Sequence, residues 1–309
     1  MTRDRSTPMV VLERAPIPAL PPEHALITVR EAAEADWREC GRICYEAFAT
    51  LANRHGFPPD FPTVEAASEP IRHLIEHPRI HGVVAECDGR ILGSSFLDER
   101  SLISAIGPVS VDPTAQDDGV GRLLMEAMLE RVAVRHAPGV RLVQIAYHNR
   151  SLCLYTKLGF DVRATFAALH GEPLGLTMPG YRVRRAYPDD LAACDALCVR
   201  VHGHDRSGEL GEAVASGTAR VVEHLGRITG YTAGIDYWDH SVAETTRDLQ
   251  ALVGAAEDFG TPGFLVPLDD GELFRWSLAH GLRVYFVTTL MTRGIYQEPR
   301  GAYMPSVGY

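Results

Sequence analysis

No stretch of the 309 residues approaches the ~18 consecutive apolar positions that would cross a bilayer, and the N-terminus has no apolar core of a secretory signal. A membrane partner is therefore not expected, and a cytoplasmic location is. Positive charge is also short: 30 Lys and Arg stand against 40 Asp and Glu, a formal net charge of -10. That balance argues against a nucleic-acid surface, which normally carries a clustered basic patch, and suits small amines or other cations. Only six cysteines are present, and Cys40/Cys44 and Cys194/Cys198 are spaced to share one helical face. They read as buried free thiols rather than disulfides or metal ligands. His202-Gly203-His204-Asp205-Arg206 has the H-x-H-D form that opens some metallohydrolase sites, but it follows a predicted helix and no further ligand cluster is evident. No metal is expected; the segment reads as a solvated or substrate-lining loop, and His240, beside Tyr237 and Trp238, as a surface or packing residue.

What is there is an ordinary globular composition, 46% hydrophobic and 23% charged, with length for two domains of about 150 residues each. The residues before about His24 are rich in proline and mixed charge and are expected to form an arm (1–23). A short strand at Ile27 to Arg30 leads into a helix that Asp36 caps, with Trp37, Cys40, Ile43, Cys44 and Ala47 at helical spacing. A second helix is predicted over Val64 to Glu76. A hairpin follows, Gly82 to Cys87 and Ile91 to Leu97, turned by Asp88-Gly89. Then come a strand from Ile106 to Val111, a helix from about Gly119 to His136, a strand from Arg141 to Tyr147, a helix from about Arg150 to Leu158 and a strand from Phe160. The pattern predicts a mixed α/β domain. It also repeats. Val29, Arg30, Ala32, Asp36, Cys40 and Cys44 match Val183, Arg184, Ala186, Asp190, Cys194 and Cys198 at one offset, and Glu86, Gly89, Arg90, Ile91 and Gly93 match Glu223, Gly226, Arg227, Ile228 and Gly230 at another. The second half is expected to be a shortened copy, with the boundary in the Gly/Pro-bearing stretch 171–180.

The segment richest in chemistry joins the strand end Val109-Ser110-Val111 to a glycine loop, Gln116-Asp117-Asp118-Gly119-Val120-Gly121-Arg122, and an apolar helix face. Glycines at 119 and 121 let the backbone approach a ligand, and the helix that follows presents unpaired N–H groups and the positive end of its dipole. A pyrophosphate suits such a place. The dinucleotide-binding fingerprint needs a third glycine where Leu124 stands, and the Walker loop needs an absent Gly-Lys-Ser/Thr end. Gln116-x-x-Gly119-x-Gly121 resembles motif A of the GNAT superfamily of N-acetyltransferases, and Leu154-Tyr155-Thr156-Lys157-Leu158-Gly159-Phe160 resembles the end of its motif B, in the same order along the chain. The resemblance covers about residues 24 to 168. It implies an α/β (α+β) fold of two tandem GNAT-like domains, each a mixed, mostly antiparallel sheet flanked by helices: a catalytic acetyl-CoA-binding domain at 24–170 and a degenerate one at 181–309.

The resemblance further implies acetyl-CoA as co-substrate. The backbone around Val109, Ser110 and Val111 would pair with the pantetheine arm, residues 116 to 122 would hold the pyrophosphate through main-chain N–H groups, and Asn149 and Ser151 would contact the cofactor. Tyr155 would sit near the sulfur and protonate the leaving thiolate, a general-acid role typically worth about 10² to 10⁴ in rate. Two features depart from the superfamily pattern. Asp117 and Asp118 put carboxylates where a pyrophosphate would be repelled unless they turn to solvent, with Arg122 placed to offset the charge, and Asn149 stands six rather than seven residues before Tyr155. For the base, Asp98, Glu99, Tyr147 and His148 lie near strand ends and remain open alternatives.

Around residues 263–290 the second half resembles the motif B region, with His280-Gly281-Leu282 echoing Leu158-Gly159-Phe160 but Ser277 in the register of Tyr155. Ala243 to Leu249 supplies no glycine loop where motif A should be. This half is expected not to bind cofactor but to shape an acceptor pocket where the halves meet, with His202, His204, Asp205, Arg206, Tyr237, Trp238 and His240. The expected activity is transfer of an acetyl group to a primary amine of a small molecule, less readily of a protein, by direct attack in a ternary complex, in a monomer or homodimer. The alternatives are a non-catalytic acyl-CoA-binding sensor, or a tandem acyltransferase that uses a longer acyl group or makes a specialised thiol, as mycothiol synthases of similar two-domain plan do.

Overall fold

The computed structural model describes residues 26–308; the arm expected at 1–23 lies outside them. Strand β1 (Thr28–Glu31) and a 3-10 turn (Glu34–Asp36) lead into α1 (Trp37–His55) and α2 (Val64–Glu76). The hairpin β2 (Ile80–Cys87) and β3 (Arg90–Asp98) follows, then β4 (Ser104–Val111), α3 (Val120–Val134), β5 (Gly139–Ile145), α4 (Asn149–Lys157) and β6 (Asp161–His170). The hairpin turns where the sequence predicts: Asp88 at φ 50° and Gly89 at φ 76° take the paired left-handed conformations of a tight two-residue loop.

After 171–180, which holds no helix or strand, the order recurs. It runs β7 (Tyr181–Arg185), α5 (Leu191–His202), α6 (Ser207–Ser216), β8 (Arg220–His224), β9 (Arg227–Thr232), β10 (Ser241–Ala243), α7 (Thr246–Gly254), β11 (Phe264–Pro267), α8 (Gly271–Ala279), β12 (Arg283–Gly294) and β13 (Ala302–Met304). The likeness of the halves reaches single hydrogen bonds. Arg30 Nε donates to Glu86 at 2.8 Å and its Nη1 to Asp36 at 2.6 Å, while the Ala33 N–H donates to Asp36 at 2.7 Å. Arg184 Nε donates to Glu223 at 2.7 Å and its Nη1 to Asp190 at 2.7 Å, and the Tyr187 N–H donates to Asp190 at 2.8 Å. In both halves this network pins the strand, the turn and the hairpin together.

Two sheets form, as the fold class leads one to expect, but the larger draws strands from both halves. The larger sheet has the order β1-β2-β3-β4-β5-β12-β6-β11 and the smaller β13-β10-β9-β8-β7. The two motif-B strands, β6 and β12, pair antiparallel with each other over nearly their whole length, and each also pairs with the other half's strand, β12 with β5 and β6 with β11. Sequence periodicity marks each as a strand but says nothing about which chain segment it joins. The side chains decide that: Phe166, Ala168, Phe286 and Leu290 from these two strands close a shared core with Tyr237, Leu265 and Tyr303.

Strand alternation sends Val83 and Ala85 of β2 to one face, under Leu124, Met125 and Met128 of α3, and Val84 to the other, under Cys40, Ile43 and Cys44 of α1 and Ile71 of α2. Burial removes each large side chain from water at roughly 1.5–3 kcal/mol apiece. The six cysteines are free; four are buried, Cys87 is half-buried and Cys153 exposed.

Candidate active site

Strands β4 and β5 pair in parallel only at Ser104↔Val140 and Ala105↔Arg141. Beyond that point they part, while β4 stays on β3 through Ser95↔Val109 and Gly93↔Val111. The edge of β4 from Val109 onward therefore faces an opening rather than a strand. α3 begins at its mouth: Gly119, at φ 85°, is the N-cap, no side chain caps the turn, and its carbonyl accepts from the N–H groups of Arg122 and Leu123. The N–H groups ahead of Arg122 have no partner within the helix, and the dipole's positive end points with them. A Cβ added at Gly121 would lie 3.6 Å from Leu154 and 3.7 Å from Val111. Glycine here keeps clear a passage between strand and helix that any longer side chain would enter.

Of the residues singled out from the sequence, Val109, Val111, Gln116, Asp117, Gly119, Val120, Gly121, Arg122, Asn149, Ser151 and Tyr155 line one cleft between α1, α3 and α4. Ser110 does not; strand alternation turns its side chain to the other face, where its Oγ lies 3.2 Å from that of Ser94. Asp118 is exposed and outside the lining. Arg122 reaches Glu126 rather than the loop carboxylates; the partner of Asp117 is Arg150, from the first turn of α4. Of the base alternatives, Asp98 is held by Arg100 at 2.6 Å and Glu99 by Arg131 at 2.7 Å. Tyr147 and His148 reach the cleft. Burial, with Arg150 nearby, lowers the His148 pKa to about 4, so the ring is neutral near pH 7. The Tyr155 side chain is buried; desolvation pushes its phenol up to about 12, opposed by hydrogen bonding to Ser151. Ser151 Oγ lies 2.7 Å from His148 Nδ1, so one polar chain runs Tyr155–Ser151–His148.

A second cavity, of about 160 Å³, adjoins the cleft and shares with it Phe48, Leu51, Val109, His148, Ser151 and Tyr155. Its far wall belongs to the second half, with Glu209, Tyr237, Trp238, Pro262 and Ser306 to Gly308. Of the polar set assigned to an interface from sequence, Tyr237 and Trp238 line it directly. Arg206 is buried behind, donating to Glu209 at 2.6 Å, and His240 is buried with Tyr231 Oη at 3.1 Å. His204 lines a small neighbouring crevice, His202 is buried, and Asp205 accepts from Ser207 at the start of α6, away from the cavity. Sequence reasoning missed Asp60, Gln144 and the Phe57–Pro62 loop; an aspartate inside an aromatic and proline run was the available signal. Among the described residues no group of three or more His, Cys, Asp or Glu is placed to hold a metal ion.

In the second half, the same position along the chain is built differently. Ser277 stands 122 residues after Tyr155 (277 − 155), in the register that aligns β6 with β12 (283 − 161), and is fully buried. Two residues separate β10 from α7, which is capped by Thr245 and closed by Asp248, which accepts from the Thr245 N–H at 3.0 Å.

Residues 78–162 match the family model of the acetyltransferase (GNAT) domain. Over 75 residues the chain is 37% identical to a mycothiol acetyltransferase of Nocardia farcinica (strain IFM 10152), a stretch that makes up 23% of this chain and spans only 25% of that relative. A putative acetyltransferase from Pyrococcus horikoshii shares the fold at TM-score 0.72 and 16% identity, covering 91% of this chain and 95% of its own. A GCN5-related N-acetyltransferase from Sphaerobacter thermophilus does so at 0.61 and 16%, covering 88% and 96%. These likenesses are of fold, and they extend across both halves.

Proposed function

We propose that this protein is an acetyl-CoA-dependent N-acetyltransferase that acetylates a primary amine of a small molecule by direct attack in a ternary complex. The observation that carries the reading is the wall that the two spaces share: Val109, His148, Ser151 and Tyr155 line both the glycine-loop cleft and the interface cavity, so substrates held in the two would lie against the same residues. Acetyl-CoA supplies the activated acetyl group. The chain's own residues do the rest. The first turn of α3 offers N–H groups to the pyrophosphate, the free edge of β4 at Val109 to Val111 offers main-chain partners to the pantetheine, and passage past Gly121 is unblocked. A phenol held protonated by burial at Tyr155 suits proton donation to the departing sulfur. Orientation of the two reactants supplies much of the remaining acceleration.

We further read the chain as a tandem duplication divided at 171–180, in which the second half has given up cofactor binding and serves as the far wall of the acceptor cavity. The recurrent Arg–Asp–Glu network supports the duplication. Retention of the whole Tyr155–Ser151–His148 chain favours an enzyme over an acyl-CoA sensor. The test is release of CoA thiol from acetyl-CoA with a panel of small amines, together with mass detection of the N-acetyl product. Absence of thiol release with every amine, despite acetyl-CoA binding, would return the sensor reading.

A further inference from the structure

Three carboxylates stand on the wall of the interface cavity, Asp60, Asp98 and Glu209. Two are matched: Asp98 by Arg100 and Glu209 by Arg206, both at 2.6 Å. Asp60 is only 6% exposed, its Oδ1 has no hydrogen-bond partner, and among the described residues no cation pairs with it. A buried carboxylate with one oxygen unanswered and no cation beside it is costly, and such a group in a cavity marks a place completed by something else. The surroundings are mostly apolar: Phe48, Phe61, Leu74, Ile106 and Trp238 line the same space, with Gln144 and the Asp98-paired Arg100 among its polar members. A volume of about 160 Å³ admits only a small molecule.

We propose that Asp60 is the residue that receives the acceptor's ammonium group, and that the acceptor is a small primary amine with an apolar or aromatic body and no carboxylate of its own. The inference rests on the acetyltransferase reading and names its substrate class. One proton passes from the ammonium to the Asp60 carboxylate; the freed lone pair forms the carbon–nitrogen bond to the acetyl carbon as the carbon–sulfur bond breaks. The nitrogen's second proton compensates the one Tyr155 gives to sulfur. The products are amide, thiol and one proton held by Asp60.

Desolvation raises the Asp60 pKa to about 6, within reach of a proton acceptor at neutral pH. The groups that face it are Cys44 of α1, Tyr147 after β5, Tyr237 before β10 and Tyr285 of β12, with His148 farther along the cavity. Burial raises the thiol and the three phenols and lowers the imidazole, so all are neutral between pH 5 and 8. Among these facing groups Asp60 is the one that titrates in that window; Asp239, beside Trp238 and raised by burial to about 7, does so elsewhere. Amine capture is therefore weak below pH 6 and rises to a plateau above it.

The experiment uses the full chain, Asp60→Asn and, as a second neutral form, Asp60→Ser, with benzylamine, 2-phenylethylamine and hexylamine beside the matching uncharged alcohols. Calorimetry without acetyl-CoA is expected to show at least a tenfold preference of the wild type for an amine over its alcohol, lost in both variants. With acetyl-CoA, kcat/KM for the amine should fall about 30-fold or more in the variants while acetyl-CoA affinity stays within twofold. Both variants should melt no lower than the wild type above pH 7, where the uncompensated charge is removed. No amine preference in the wild type, or the same preference in the variants, overturns the assignment. Amine preference lost in the variants without any thiol release in the wild type would sink the acetyltransferase reading and leave Asp60 as an ammonium site; turnover indifferent to Asp60 would sink the assignment alone.

Discussion

The N-termini of α3 and α7 occupy corresponding positions in the two halves and do opposite things. At α3, a left-handed Gly119 starts the helix without a side-chain cap and leaves the first-turn N–H groups facing a cleft. At α7, Thr245 and Asp248 cap each other, Asp248 is buried and also accepts from Thr229, and Thr246 Oγ1 donates to Asp270 of the α8 N-terminus at 2.9 Å. The groove there is walled by Glu244, Asp269, Asp270 and Glu272. A helix that has spent its orphan donors on its own carboxylate has little left to offer an anion, and acidic walls repel one. The two helix starts thus differ by a handful of capping residues, while the same Arg–Asp–Glu network stands in both halves.

The most drastic way to break the comparison is to separate the halves. Ending the chain at Gly180 removes β12 from between β5 and β6, and such a fragment is expected not to fold; a cooperative melt with native circular dichroism would contradict the exchanged-strand account. Next is Gly121→Leu. A branched side chain between Val111 and Leu154 should weaken acetyl-CoA binding at least ~100-fold, about 2.7 kcal/mol, with the melting temperature little changed. Calorimetry of the wild type should give one site per chain, and two equivalent sites would show that α7 is not disabled. Tyr155→Phe keeps the packing ring and loses the proton, so turnover should fall about 10² with acetyl-CoA affinity retained. Wild-type turnover in this variant would remove the acid role.

A subtler test compares the shared framework. Asp36→Ala and Asp190→Ala should each cost about 1–3 kcal/mol, and similar amounts, because each strips an arginine and a backbone N–H of the same partners. Ion pairing and hydrogen bonding to Arg30 and Arg184 hold both carboxyls below their ordinary pKa. Their contribution is thus present above the unfolded value near 4 and is lost as pH falls through the lower folded one, so the penalty of each variant should shrink in acid denaturation. The smallest effect belongs to Asp117→Asn. Removing an exposed charge from the loop should tighten acetyl-CoA binding about two- to threefold at low salt, an advantage that 0.5 M salt should erase.

Much of this was legible in the chain. Periodicity located the helix at 64–76 to the residue and the strand, glycine loop and helix around 109–134 within one or two positions, because those elements are specified by local contacts and turn chemistry. The repeat showed in Arg30/Arg184 and Asp36/Asp190, whose part-buried ion pairs hold the same strand, turn and hairpin in each half. Three things needed the folded molecule. Which half β12 joins is a matter of long-range pairing, and a strand's sequence says which face is apolar but not whose edge it meets. That Asp117 is answered by Arg150 and not by Arg122 depends on how α4 lies against the loop. Asp60 was invisible for the same reason: an aspartate in a proline-rich loop is ordinary until tertiary packing removes its water and leaves it no cation. The sequence by itself determined the local elements and the glycine loop, whose causes lie within a few residues; only the tertiary structure decided the strand exchange, the cavity between the halves and the one carboxylate on its wall that no cation answers, because burial and pairing are properties of residues far apart in the chain.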